Sequence, residues 1–144
     1  MKITVFAVGK AKGEIETLCG EYAKRIKLPF AVREFSGASN KAEGQAILSA
    51  LPSKACLVLM DERGKDLSSR ELAQKIENWQ GQGTQELVFA IGGADGVSAE
   101  VRARADFVLG LGRKTWPHML ARLMLIEQIY RALTIIEGHP YHRD

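Results

Sequence analysis

Two successive stretches decide how this chain folds: Leu87-Val88-Phe89-Ala90-Ile91-Gly92-Gly93-Ala94-Asp95-Gly96, and then Phe107-Val108-Leu109-Gly110-Leu111-Gly112-Arg113-Lys114-Thr115-Trp116-Pro117-His118. Each is a short apolar run that breaks off into glycines. The run reads as a strand, the glycines as a loop at its carboxyl end, and that is where an α/β protein builds its ligand site. Between them Ser98 caps a short helix through Arg104. After them Pro117 fits the first turn of a helix running to Glu137 and closed by Gly138.

The same alternation runs back to the start of the chain. Lys2–Val8, Phe30–Phe35 and Cys56–Met60 read as strands, with the last strand expected over Phe107–Leu111. Gly13–Lys27 is an amphipathic helix, with Ile15, Leu18, Cys19, Tyr22 and Ile26 on one face. Asn40–Leu51 is a second helix. Ser68–Gln80 is a third and opens on the capping box Ser68-x-x-Glu71. Strands alternating with helices predict one α/β domain over 1–144, a mostly parallel sheet with helices on both faces.

A chain of 144 residues, 46% hydrophobic, has the material for a single real core. No run approaches the roughly 20 apolar residues of a membrane span. The opening Met1-Lys2-Ile3-Thr4-Val5 enters a strand with no signal-peptide layout, so a cytoplasmic protein is expected. Cys19 and Cys56 stand alone and read as reduced structural thiols. The net charge is only +3, but it is lopsided: 13 basic and 13 acidic residues in 1–101, against 7 basic, 4 acidic and all three histidines in 102–144. A local basic surface suits phosphates; a merely solvated face is the alternative on charge alone.

The final helix carries too much apolar surface. From Met119 to Ile136, 13 of 18 residues are apolar, whereas one core-facing stripe needs only about half a helix. A second buried face implies a partner, most simply a homodimer. Ile129 and Leu133 are the positions expected to face it.

The glycine loops do not match the common nucleotide motifs. Gly92-Gly93-x-x-Gly96 lacks the GxGxxG spacing and follows a late strand, and Arg113 stands where a P-loop needs glycine. An ordinary NAD enzyme and a P-loop NTPase are therefore excluded. Met60-Asp61-Glu62-Arg63-Gly64-Lys65 is expected as a third loop after a strand, its Asp61 either near a ligand or capping a turn. His139-x-x-His142 has no thiol or carboxylate set beside it, so no metal is expected. Tyr141, His142 and Arg143 offer stacking, hydrogen bonding and phosphate pairing, the tools for holding an extruded RNA base; a frayed terminus is the other reading of the same residues.

Val8-Gly9-Lys10, Gly92-Gly93-x-x-Gly96, Thr115-x-Pro117-His118, Arg122 with Glu127-Gln128-x-Tyr130-Arg131-Ala132, and His139-Pro140-Tyr141-His142-Arg143 together resemble one family over the whole chain. It is the large-subunit (23S) rRNA pseudouridine N3-methyltransferases of the SPOUT class. The resemblance implies a C-terminal trefoil knot, a homodimer, and S-adenosyl-L-methionine bound in the knot. It places cofactor contacts on Met60, Gly92, Leu111, Gly112, Arg113, Lys114, Thr115 and Trp116, with Met60 standing where relatives often have leucine. It implies RNA contacts at His118, Arg122, Arg131, Tyr141, His142 and Arg143, and a substrate in the helix 69 loop of assembled ribosomes. Methyl transfer from a sulfonium needs mainly positioning, but the pseudouridine N3 must lose a proton, for which His142 and Glu127 are candidates, with Arg143 beside them in the catalytic group. Two other readings are a related enzyme acting on another RNA such as tRNA, and a non-catalytic ribosome-binding factor.

Overall fold

A computed structural model describes residues 1–144. Ten elements follow one another: β1 (Lys2–Val8), α1 (Gly13–Ala23), β2 (Phe30–Phe35), α2 (Asn40–Ala50), β3 (Cys56–Asp66), α3 (Ser69–Gly81), β4 (Glu86–Ile91), α4 (Ala99–Arg104), β5 (Phe107–Gly110) and α5 (His118–Glu137). The five strands form one sheet in the order β2-β1-β4-β3-β5, and every pairing is parallel.

Period-two alternation divides the sheet's side chains between two cores. Ile3, Val5 and Ala7 of β1, Leu87, Phe89 and Ile91 of β4, Val58 and Leu109 point to one face, where they meet α1, α3 and α5. Phe6 and Val8, Val88 and Ala90, Leu57 and Leu59 point to the other and meet Ile47 of α2 and Val101 of α4. Burial on both faces explains why β1 and β4 read as nearly unbroken apolar runs. The larger core is completed by α5, which lies between α1 and α3 and contributes Leu125, Ile126, Ile129, Ala132 and Leu133.

Local signals held where the chemistry is local. The Ser68 hydroxyl accepts from the Glu71 amide at 3.1 Å while the Glu71 carboxylate accepts from the Ser68 amide at 2.8 Å, which is the capping box. Gly138 closes α5 in the left-handed conformation. The first helix ends at Ala23 rather than Lys27, because Leu28 precedes Pro29 and must leave helical geometry to enter β2; Ile26 still reaches the core.

Two expectations are overturned. Ile129 and Leu133 do not face outward: they are 0% and 8% exposed, within the chain's own core. The exposed large apolar residue of α5 is instead Leu120, with Leu123 and Met124 half-buried on the same helix. The segment after Met60 is also not a simple loop. Met60 and Lys65 both register with Leu109, and Asp66 continues to pair with Gly110, so Asp61–Gly64 bulges out of a strand that then resumes. The polar composition of 61–66 hides this, because the pairing is dictated by β5, far along the chain.

The bulge crosses the end of β5 with backbone against backbone. A Cβ on Gly64 would lie 2.6 Å from the Leu109 carbonyl carbon and 2.8 Å from the Gly110 nitrogen, and one on Gly110 would lie 3.0 Å from the Gly64 oxygen. Gly64→Ala is expected to destabilise the protein by about 1–3 kcal/mol, the range for overpacking, read from chemical denaturation. Wild-type stability in that variant would contradict so close a crossing.

Candidate functional site

The carboxyl ends of β3, β4 and β5 surround a cleft of about 620 Å³. One wall is Met60–Arg63 of the bulge. The second is the Ile91–Val97 loop after β4. The third is Leu111 and Lys114–Trp116 after β5, with His118 and Ala121 of α5 behind them. The volume falls in the range of small-molecule sites, and the lining mixes backbone, apolar side chains and charge as such sites do.

Hydrogen bonds tie these walls together. The Thr115 hydroxyl donates to Glu62 at 2.5 Å, joining the third wall to the first. The Trp116 indole donates to the Leu111 carbonyl at 3.0 Å and folds the third wall on itself, leaving the ring 42% exposed at the mouth. Asp61 pairs with Arg102 of α4 and accepts from the Arg63 amide. Partial burial pushes its carboxyl up, but the Arg63 amide and the Arg102 guanidinium outweigh this and hold it below the usual range. Asp61 thus both lines the cleft and caps its turn. The Asn40 side chain donates to the Gly96 carbonyl at 3.1 Å and braces the second wall.

Of the residues expected around a cofactor, Met60, Gly92, Leu111, Lys114, Thr115 and Trp116 line this cleft. Gly112 and Arg113 do not: Gly112 lines a separate groove against α3 and α5, and Arg113 is exposed. Gly92 is required by the loop itself. A Cβ there would lie 2.5 Å from the Gly96 carbonyl oxygen, so the turn closed by the Gly96 amide on Gly93 (3.0 Å) could not form.

Arg122, expected to meet RNA, is 2% exposed and does something else. Its guanidinium bonds Glu34 at 2.5 Å and the Gly9 carbonyl at 3.1 Å, while Glu34 also accepts from the Ala11 amide at 2.8 Å. One buried arginine thereby fastens β2, the β1–α1 turn and α5 to one another. A signal for this was present: 122, 125, 126, 129 and 133 share one helical face, and four of them are core residues. The Ala11 amide and then Arg122 lower the Glu34 carboxyl.

Glu127, Arg131, Tyr141 and His142 form a second cluster, along α5 and away from the cleft walls. Glu127 accepts from Arg131 at 3.1 and 2.8 Å and from the Tyr141 hydroxyl at 3.0 Å. Arg131 approaches His142 Nδ1 at 3.0 Å. Since a guanidinium can only donate, Nδ1 accepts and Nε2 donates to Asp144, 2.6 Å away. Tyr141 packs edge-on against Tyr130 at 4.7 Å, with Arg131 over its other side at 4.8 Å. Burial, then the Glu127 carboxylate, push its phenol up to about 12. The tail is therefore built onto α5 and is not frayed. Among the titratable groups no metal-binding cluster forms. Both cysteines are free; burial raises each thiol, Cys56 to about 11, which suits inert structural roles.

The chain thus presents a parallel sheet with helices on both faces and a loop-walled cleft at the ends of its last strands. The family described as "Predicted SPOUT methyltransferase" matches residues 1–142, and the chain belongs to it: it is a methyltransferase of the SPOUT family. It is 43% identical over 151 residues, covering 99% of both chains, to the "Ribosomal RNA large subunit methyltransferase H" of Paramagnetospirillum magneticum. The protein of that name from Zymomonas mobilis is 45% identical over 145 residues, covering 100% of this chain and 99% of its own. The fold is shared with a "probable methylase family protein" of Haemophilus influenzae Rd KW20, at a TM-score of 0.58 and 12% identity, over 99% of this chain and 70% of that one.

Two predictions follow from the Arg122 clamp. Glu34→Ala leaves a buried guanidinium without its carboxylate; because Glu34 itself is 36% exposed, the cost in urea unfolding should be about 1–3 kcal/mol, between that of a surface pair and that of a fully buried one. Because the folded Glu34 carboxyl is depressed, its contribution is full above the unfolded value and disappears as pH falls through the folded one. The stability gap between wild type and Glu34→Gln should therefore be widest near neutrality and shrink below about pH 4.3. A gap that stayed constant into acid would show that ionised Glu34 is not what holds Arg122.

Proposed function

We propose that this chain transfers a methyl group from S-adenosylmethionine to N3 of a pseudouridine in the helix 69 loop of large-subunit (23S) ribosomal RNA. The observation that carries the reading is likeness over the full chain to relatives named as methyltransferases of the large ribosomal RNA. The cleft fits the cofactor: Met60 and Leu111 offer apolar surface for an adenine, and the Ile91–Gly96 and Leu111–Trp116 loops offer backbone groups. When bound, S-adenosylmethionine supplies an electrophilic methyl group on a sulfonium. The protein's own task is to hold the base and remove its N3 proton, with His118 at the cleft and Tyr141, His142 and Arg143 in the tail as RNA-facing residues.

The reading includes a homodimer and a threaded C-terminal segment. Exposed Leu120 and Trp116, with Leu123 and Met124 beside the Gly112 groove, offer an apolar stripe for a second copy. The Gly64–Gly110 crossing is where such threading would pass. Glu127 and His142 do not line the cleft of their own protomer, so as proton acceptors they would serve a partner's cleft. No helix is long and apolar enough to cross a membrane, and a cytoplasmic, ribosome-directed enzyme is the reading we adopt.

Incubating the protein with S-adenosylmethionine and assembled ribosomes should add one methyl to a large-subunit rRNA fragment containing pseudouridine, read by mass spectrometry. Methylation of transfer RNA instead, or cofactor binding without any transfer, would sink the reading. For the dimer, Leu120→Glu is expected to shift sedimentation from dimer to monomer; a wild-type monomer at micromolar concentration would overturn that part.

A further inference from the structure

The tail ends in an ion pair that the catalytic reading leaves unused. Arg70, in the first turn of α3, donates from Nε to both carboxylate oxygens of Asp144, at 3.0 and 2.7 Å. His142 Nε2 lies 2.6 Å from the same carboxylate. The two terminal nitrogens of Arg70 make no hydrogen bond, and neighbouring Arg143 makes none either and has no acidic partner. Arg70 and Asp144 are 58% and 63% exposed, and pairs of this kind exchange readily for other partners. Glu127, by contrast, is part-buried and fully engaged by Arg131 and Tyr141. Asp144 is thus the acid at this corner that can leave, because its side chain is exposed and is held only by Arg70 and His142.

We propose that Arg70 and His142 form a phosphate-binding site for RNA, occupied in the free protein by the side chain of Asp144, which stands in for the phosphate. A guanidinium pairs with carboxylate and phosphate through the same planar donors. A backbone phosphodiester, like a carboxylate, presents two charged acceptor oxygens, and the unused nitrogens of Arg70 are available to meet them. Arg70 and His142 also lower the Asp144 carboxyl, which keeps the stand-in ionised. The site deepens the rRNA reading and rests on it: RNA must expel the Asp144 side chain, which sets a threshold that only a well-placed backbone passes.

The test is the affinity of four proteins for purified assembled ribosomes: wild type, Asp144→Asn, Arg70→Ala, and the double variant. Asp144→Asn should bind about two- to fivefold more tightly, the worth of one surface pair. Arg70→Ala should bind more weakly, with the slope of log affinity against log salt reduced by roughly 0.9 or less, as for one lost phosphate contact. In the double variant the gain from Asp144→Asn should vanish. If that gain persists without Arg70, it reflects bulk charge only and the proposal is wrong; it is equally wrong if Asp144→Asn binds no more tightly than wild type. Inorganic phosphate is the control: a gain for phosphate alone, with none for ribosomes, would make this a small-anion site and overturn the RNA assignment. Failure of the rRNA reading looks different, since wild type itself would then neither bind nor methylate the ribosomes.

Discussion

The site depends on one steric constraint: where the Asp61–Gly64 bulge crosses the end of β5, two backbones touch with no space for a Cβ on either side. That contact fixes Met60–Arg63 as one wall of the cleft and sets where the chain leaves β5 to form the opposite wall. The Thr115–Glu62 hydrogen bond then spans them. A larger side chain at 64 or 110 would separate two walls that must meet the same ligand, so those glycines act on the cleft without lining it. The buried Arg122 does comparable work from the other side. By holding Glu34 and the β1–α1 turn against α5, it fixes the helix that carries His118 into the cleft.

Most of the fold was legible because its signals are local. Apolar runs, a serine-led capping box and a closing glycine each state their own conformation, and all five strands and five helices appear where those signals place them. What could not be read was set by partners distant in sequence. The bulge in β3 exists because Leu109 and Gly110 pair with residues on both sides of it, and Asp61–Asp66 carries no pattern of its own to announce this. The apolar composition of α5 suggests a second buried face at Ile129 and Leu133, but both belong to the chain's own core. Two neighbouring helices and the sheet bury more of α5 than a single core-facing stripe would, which absorbs Ile129 and Leu133 and leaves Leu120, Leu123 and Met124.

Six of the eight expected cofactor residues meet at one cleft because they sit on three loops at one end of a parallel sheet, a position that topology alone dictates. Charged residues were harder. An arginine on an apolar helix and an arginine on a basic tail look alike as residue types; Arg122 is a buried clamp and Arg143 an exposed cation. The difference is in helical phase, which places Arg122 on the stripe of Leu125, Ile126 and Ile129. The tail histidine was read for its chemistry, and the structure adds its neighbours: Arg131 occupies one ring nitrogen and Asp144 the other.

The position of α5 between α1 and α3 also bears on how the protein is made. The larger core is lined by β1, the first strand synthesised, and completed by Leu125, Ile126 and Ile129, among the last core residues to emerge. The central pairing of β1 with β4 is itself long-range, joining Ile3 to Leu87. Such topologies form slowly, because distant segments must be brought together before their contacts are gained. The middle of that face, between α1 and α3, therefore stays uncovered until α5 has been made, and the nascent chain exposes an apolar strip until then. Folding is completed by the C-terminus, and a truncated or stalled chain would retain the sheet's hydrophobic face as a target for chaperones or aggregation.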